Sequence, residues 1–291
     1  MIESSRAFAK LNISLDIVSK MPDGYHNIKT VMQTVDLHDE ITIECVPGNG
    51  ISIVAGLHYL PVDEHNIAVK AALEYFKHTG ISGYRTHIII KKEIPVSAGL
   101  GGGSADGACV LRMLDGMFAT SLGRKTLETL GMSVGSDVPF CIAGGTSLAE
   151  GRGEVLTDLP PMPHSFFVIC KPPFTCSTPE LFRRVRCGKM RARPDTDGII
   201  ASIGKGDLHG VAHRMYNVFE DVLPHGAREI VDIKYALLDN GALGAVMTGS
   251  GSAVFGLFDS EAQAHKAHEY LSTCYQECCL TQTIKRMEAM Q

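Results

Sequence analysis

Five glycines fall within the thirteen residues PVSAGLGGGSADG, Pro95 to Gly107. Glycine is costly to order, so such a cluster marks a place where backbone must come close to something. Consecutive amides in a glycine-rich turn that opens a helix make a concave, partly positive cradle for phosphate. A tight strand-to-helix connection needs fewer glycines than Gly99, Gly101, Gly102 and Gly103 supply. Two familiar phosphate loops fail to match. Walker A requires Gly-Lys-Ser/Thr, whereas the Gly-Lys pairs here continue as GKM and GKG. The dinucleotide and protein-kinase loops require G-x-G-x-x-G, whereas this loop reads GLGGGS.

Other residues carry chemistry in principle. Lys10 lies in the apolar run AFAKLNISL, where a charge needs a partner or a solvated pocket; an outward-facing lysine on an alternating strand is the other reading. Asn12, two residues on, shares its strand face. Asp137, in VGSDVPF, reads by itself as a helix or turn cap. Ser104 is open between a bare N-cap and a contact to phosphate or metal. Tyr25 and His26 leave an Asp23-Gly24 turn, where a tyrosine more often anchors packing. TGSGSA, Thr248 to Ala253, reads as a turn between two strands. His209 and His213 in HGVAH have the i, i+4 spacing of a zinc pair without the glutamate of HExxH. Cys274, Cys278 and Cys279 are too close in sequence for a structural zinc, and no serine has G-x-S-x-G surroundings. No dedicated metal site is expected from side chains alone.

The elements that position these residues follow from period and punctuation. RAFAKLNISLDIV, YHNIKTVMQTV, DEITIECV and THIIIKKEI read as strands, and NIAVKAALEYFKHTG as a helix stopped by glycine. After the glycine run, Ala108, Leu111, Leu114 and Phe118 recur at helical spacing, with Ser104 as the N-cap. PPMPH, Pro160 to His164, punctuates two halves, which sets expected domains at 1–159 and 160–291. The second half reads as strand SFFVICKP, the segment GALGAVMTGSGSAVFGLFD, helix EAQAHKAHEYLSTC and strand CCLTQTIK. Clustered strands with helices between them predict an α+β fold.

Composition bounds the function. The chain has 291 residues, 45% of them hydrophobic and 20% charged, as in an ordinary folded protein. A net charge of -5 argues against nucleic acid as the main partner. Nine cysteines without CxxC spacing read as free thiols in a reducing compartment. Neither a signal-peptide core nor a membrane-length apolar run is seen, so a cytoplasmic protein, or a mature organellar one, without membrane contact is expected.

The pattern P-x-x-x-G-L-G-G-G-S-A resembles the ATP loop of the GHMP kinases, the galactokinase, homoserine, mevalonate and phosphomevalonate kinase superfamily. AFAKLNISL, PDGYHNIKTVMQTVDLHDEI, GSDVPFCIAGGTSLAEGRGE, STPELF and MTGSGSAVFGLFD, in that order, resemble the branch that phosphorylates the 2-hydroxyl of methylerythritol in its cytidine diphosphate ester, on the non-mevalonate route to isoprenoids. The resemblance implies an N-terminal domain like domain 2 of ribosomal protein S5 and a ferredoxin-like C-terminal domain. It implies ATP as cosubstrate with Mg2+, a small-molecule substrate, and a monomer or weak homodimer. Lys10 and Asp137 become the catalytic pair, with Asp137 taking the proton of the attacking hydroxyl. Pro95, Val96, Ser97, Ala98, Gly99, Leu100, Gly101, Gly102, Gly103, Ser104 and Ala105 become the nucleotide loop. Asn66 and Lys92 fall near the nucleotide, although Lys92 by itself reads as a surface residue. Tyr25 and Phe182 would hold cytosine between them, His26 would read its polar edge, Thr178 would lie nearby, and Asn12 would contact substrate. TGSGSA would close over the phosphate end. Gly107 stands where the branch more often has alanine or asparagine and should weaken the helix by roughly 0.5 to 1 kcal/mol. The competing readings are a superfamily kinase for another small alcohol, disfavoured because a small acid has no base to sandwich, and a nucleotide sensor that lost the chemistry.

Overall fold

The structure, a computed structural model, describes residues 1–57, 60–224 and 227–286. The chain divides into two units interleaved in sequence: Met1–Ala9, His38–Val96 and Gly101–Ala143 form the first, and Lys10–Leu37, Ser97–Leu100 and Gly144–Gln291 the second. The expected boundary at 159/160 therefore falls inside the second unit. Two long strands, β1 (Ile2–Lys20) and β2 (His26–Pro47), contribute a stretch to each unit. The sequence predicts two strands where β2 is one. Its polar middle, Asp36 to Asp39, is accommodated by side-chain hydrogen bonds, with Asp39 accepting from the amides of Glu93 and Ile94.

In the first unit, β3 (Gly50–Val54) runs parallel to β4 (Tyr84–Lys91), which pairs antiparallel with Glu40–Pro47 of β2. Thr86, Ile88 and Ile90 of β4 point inward with the period of a half-buried strand. Helix α1 (Ile67–Thr79) starts at Asn66, whose side chain accepts from the Ala68 amide, and stops at Gly80 in the left-handed region, φ 71°. Helix α2 (Gly102–Met117) buries small residues, among them Ala105, Gly107, Ala108 and Cys109. A Cβ on Gly107 would lie 2.8 Å from Cγ2 of Ile67, so glycine permits α1 and α2 to approach. The expected weakening of α2 at Gly107 thus has a packing reason. Helices α3 (Gly123–Val134) and α4 (Val138–Ala143) complete this unit.

In the second unit, β5 (Thr146–Gly151) pairs antiparallel with Ile28–Gln33 of β2 and with β6 (Val155–Asp158). A four-stranded antiparallel sheet includes β7 (Phe166–Lys171). Helices α5 (Thr178–Arg184), α6 (Thr196–Lys205) and α7 (Leu208–Ala212) precede the short β8 (Tyr216–Asn217), which runs parallel to Ser14 and Leu15 of β1. Helix α8 (Arg228–Asp239), β9 (Gly244–Met247), β10 (Val254–Phe258), α9 (Glu261–Cys274) and β11 (Glu277–Gln282) follow, and the sheet order is β11-β7-β10-β9. Val168, Cys170, Val254 and Phe258 of that sheet pack against Ile230, Ile233 and Leu237 of α8 and Ala264, Ala267 and Leu271 of α9. Both units mix helix and sheet, as the α+β expectation requires. All nine cysteines are free thiols. No helix among the described residues is long and apolar enough to cross a membrane.

Candidate active site

The glycine loop turns three times through the left-handed region, at Ser97 (φ 54°), Gly99 (φ 80°) and Gly101 (φ 71°). Ser97 does so without the freedom of glycine, a strain that the surrounding structure must hold. Gly101, not Ser104, is the N-cap of α2, and no side chain caps this end. The first helical bond runs from the Ala105 amide to the Gly101 carbonyl at 2.8 Å, which leaves the amides of Gly102, Gly103 and Ser104 without intrahelical partners. Ser104 sits inside the first turn. Its Oγ is 3.9 Å from where a Cβ on Gly135 would stand, so the α2 amino end adjoins the Gly135–Asp137 turn within the first unit. Asp137 precedes α4, and its carbonyl accepts from the Cys141 amide at 3.1 Å.

The glycines also serve the chain's own packing. A Cβ on Gly102 would face Ile94 Cγ2 at 3.1 Å and Lys92 Nζ at 3.4 Å. A Cβ on Gly99 would strike the Thr248 carbonyl at 2.2 Å, while Gly103 is exposed and would meet only Ile67 Cδ1 at 3.5 Å.

In the second unit, Lys10 is 3% exposed, which removes the outward-facing reading: β1 is buried on both faces from Ala7 to Leu15. Its Nζ donates to Asn12 Oδ1 at 2.6 Å, as residues two apart on a strand can. Asn12 Nδ2 donates to Thr30 Oγ1 at 2.8 Å, and its backbone amide donates to Thr248 Oγ1 at 3.1 Å. TGSGSA is the turn between β9 and β10, closed by Thr248 N to Ala253 O at 3.0 Å. It meets the glycine loop through Ala253 N to Ala98 O at 3.1 Å and Thr248 Oγ1 to Gly99 O at 3.3 Å. Asn217, which sequence reasoning did not single out, donates through Nδ2 to the carbonyls of Met247 and Gly249 and fixes this turn. An asparagine beside a short strand carries no motif.

The aromatic candidates also lie in the second unit. His26 and Phe182 stack with ring centroids 5.0 Å apart and planes 25° apart, and Phe182 meets Phe219 edge-on. Tyr25 is 57% exposed, and the Arg152 guanidinium lies over its ring, 3.9 Å from the centroid. Asp23 orders that turn by accepting from the Tyr25 amide and from Arg152. Arg152 is a second residue that no motif flagged, since its partner is distant in sequence. Burial and then the charge of Lys20 push the His26 imidazole below its ordinary pKa, so it stays neutral at pH 7 with one nitrogen to donate and one to accept. Thr178 and Ser250 share a hydroxyl–hydroxyl hydrogen bond of 2.6 Å.

Lys92 is not a surface residue. Its side chain is 6% exposed and pairs with Asp39 at 2.5 Å and Asp106 at 2.8 Å, two carboxylates that sequence reading missed because they are remote or hidden in a helix. Asn66 spends its side chain on the α1 cap and on the Pro61 carbonyl. Net charge also conceals one basic stretch, RRVRCGKMRAR from Arg183 to Arg193, with six cations and no acid.

Comparison with known proteins decides the family. Residues 66–145 match the GHMP kinases N terminal domain and residues 199–277 match the GHMP kinases C terminal model. A 4-diphosphocytidyl-2-C-methyl-D-erythritol kinase of Clostridium botulinum strain Eklund 17B is 42% identical over 279 residues, covering 96% of this chain and 99% of that protein. The chain belongs to this family of GHMP kinases. The enzyme of the same description from Lachnoclostridium phytofermentans is 42% identical over 92% of each chain. A crystal structure of 4-(cytidine 5'-diphospho)-2C-methyl-D-erythritol kinase superimposes with a TM-score of 0.82 at 29% identity, covering 97% of this chain and 99% of that one. A homoserine kinase from Cytophaga hutchinsonii, 20% identical with a TM-score of 0.75 over 98% and 95% of the two chains, shares the fold.

Proposed function

We propose that this kinase transfers the γ-phosphoryl group of ATP to the 2-hydroxyl of 4-diphosphocytidyl-2-C-methyl-D-erythritol, giving the 2-phosphate and ADP. The observation that carries the reading is likeness to kinases of that name over 96% of the chain, with AKLN, DGYH, the glycine loop and SDVPF all present.

Phosphoryl transfer needs an in-line hydroxyl and neutralised phosphate oxygens more than covalent chemistry. Asp137 accepts the proton of the substrate hydroxyl, and Lys10 offsets charge growing on the transferring group. Asn12 orients Lys10 and meets the substrate. The loop from Pro95 to Ala105 receives the triphosphate, with Asn66 and Lys92 supporting the nucleotide end. The free amides of Gly102, Gly103 and Ser104 suit phosphate oxygens. Tyr25 and Phe182 grip the cytosine, His26 reads its edge with both ring nitrogens, and Thr178 lies beside it.

Mg2+ usually binds through substrate phosphates, waters and one or two protein oxygens. Among the described residues no group of three or more His, Cys, Asp or Glu could hold a metal alone. An ion carried in on the nucleotide would find Ser104 Oγ, in the first turn of α2, as a protein oxygen. Bound there, the ion would neutralise phosphate charge. The protein acts on a small molecule as a monomer or weak homodimer, in a reducing cytoplasmic setting that suits its nine free thiols.

The test is ADP release from ATP with and without the cytidylyl ester. Ester-dependent release of ADP supports the reading. Equal release with homoserine or mevalonate favours another alcohol kinase, and no release with any alcohol favours a sensor.

A further inference from the structure

We propose that Cys170 and Cys278 are a reversible oxidation site, where hydrogen peroxide as oxidant joins the two thiols in a disulfide that staples β11 to β7. The two residues are register partners on adjacent antiparallel strands, and their Sγ atoms stand 3.0 Å apart. Residues opposed in this way have Cα atoms about 4.5 to 5.5 Å apart, inside the span of about 4.4 to 6.8 Å that disulfides bridge. The link therefore asks for side-chain rotation and not for movement of backbone.

Strand alternation selects this pair. Opposed residues share one face of a sheet, and Cys170 packs with Val168 against the core residues of α8 and α9. Cys278 and Leu280 join that packing from β11. Cys279 is opposed to Ile169 and falls on the other face, and Cys274 ends α9 outside the ladder. The order of attack follows from burial. β11 is the edge strand of its sheet and Cys278 is partly exposed, whereas Cys170 is fully buried. The hydrogen bond from the Cys170 thiol holds Cys278 below its ordinary pKa, so Cys278 is the thiol that meets peroxide first.

The Cys278 thiolate attacks one peroxide oxygen, the O–O bond breaks, and the departing hydroxide takes up a proton and leaves as water. Cys278 is then a sulfenic acid. The Cys170 sulfur displaces the sulfenic oxygen, the S–O bond breaks as the S–S bond forms, and the oxygen leaves as a second water with the Cys170 proton. Two electrons have passed from the thiol pair to one peroxide, and a low-molecular-mass thiol returns them by exchange. The partners lie 108 positions apart in sequence, so the link restricts a long loop of the unfolded chain. Neither thiol lies in the glycine loop or among the residues proposed for cytosine. The staple thus adds stability to a register that is already formed.

The experiment treats reduced protein, freed of reductant, with one equivalent of hydrogen peroxide, titrates its thiols in denaturant and maps its unreduced peptides by mass spectrometry. The nine thiols of the untreated chain should fall by two, with the Cys170 and Cys278 peptides joined at a mass two hydrogens below their sum. Dithiothreitol should restore both thiols. The melting temperature of the oxidised protein should be about 4 to 10 °C higher, the scale of one disulfide closing a long loop. Cys279→Ser should still form the link, and Cys278→Ser should not. Cys170→Ser, if it folds, should stop at the Cys278 sulfenic acid, which dimedone traps. Pairing of Cys278 with Cys274 or Cys279 in the wild type, or no loss of thiols, would overturn the site whether or not Cys170→Ser folds. A linked protein whose melting temperature does not rise would overturn the staple.

Discussion

Lys10 is a cation held inside the protein by Asn12, and a buried charge of that kind is retained at a cost. Its sequence neighbours already made it suspect, but burial is what separates it from an ordinary strand lysine. If Asp137 is the base, Asp137→Asn keeps the shape and removes the proton acceptor, and kcat should fall by roughly 10²- to 10⁴-fold with ATP binding retained. A fall of only a few-fold would mean that positioning alone drives transfer. The double variant with Lys10→Ala should be little worse than the poorer single one, since groups acting as a unit are not additive. At the proposed base subsite, Tyr25 is exposed on a turn braced by Asp23 and Arg152, so its removal should leave the fold intact. Tyr25→Ala should weaken the cytidylyl ester by about 1 to 3 kcal/mol, the scale of one lost stacking partner, and leave KM for ATP alone. Binding assays with both ligands check this, and a matching loss of ATP affinity would contradict it.

The glycine loop shows what an element adds to a motif. Its glycines were legible as a turn that opens a helix and were read as a phosphate cradle, but their packing duties were not legible. Gly99 clears the Thr248 carbonyl and Gly102 clears Ile94, both partners fixed only by the fold. Gly103 is exposed with room for a Cβ, so it separates the two roles. Gly103→Asp puts an acid in the first turn of α2, favourable to the helix by about 0.3 to 1 kcal/mol, yet it opposes the phosphates. The melting temperature should hold or rise while Kd for ATP increases about ten- to a hundredfold, the effect of one poorly screened like charge. Calorimetry and an ATP titration on the same sample check both signs. Gly107 inverts an expectation drawn from helix propensity. Alanine there should stabilise by roughly 0.5 to 1 kcal/mol on propensity alone, but contact with Ile67 at 2.8 Å brings overpacking of about 1 to 3 kcal/mol. Gly107→Ala should therefore lower the melting temperature.

For the whole molecule, the α+β class, the α1 stop at Gly80 and the β9–β10 turn were all legible, because local period and glycine chemistry determine them. The interleaving of the two units was not, since β2 continues through a polar middle that local reading takes as a break. Nor was the Asp39–Lys92–Asp106 group, whose members are brought together by β2, β4 and α2. That group has a global consequence. The Asp106 carboxyl is raised from 3.8 to about 7 in the folded chain, so between these values the unfolded chain has released a proton that the native chain keeps. The contribution of Asp106 to stability accordingly falls as pH rises through that window and levels off above it. The Lys92 ammonium is shifted upward, so its contribution persists through neutrality and is lost only in alkali. Denaturant unfolding of wild type and Asp106→Asn from pH 4 to pH 8 should show the wild type losing stability relative to the variant as pH rises. A constant difference would contradict the assignment.

A kinase that recognises its acceptor through the cytidine, as proposed, must discriminate against the same acceptor without the base. Steady-state phosphoryl transfer should be measured with ATP and either 4-diphosphocytidyl-2-C-methyl-D-erythritol or the same sugar alcohol phosphate without its cytidylyl group, and the product located by phosphorus NMR. The account predicts phosphate on the 2-hydroxyl of the cytidylyl ester, with kcat/KM lower by at least about tenfold for the compound lacking the base, given a stacking contribution of about 1 to 3 kcal/mol. Equal kcat/KM for the two acceptors, or phosphate on another hydroxyl, would contradict it.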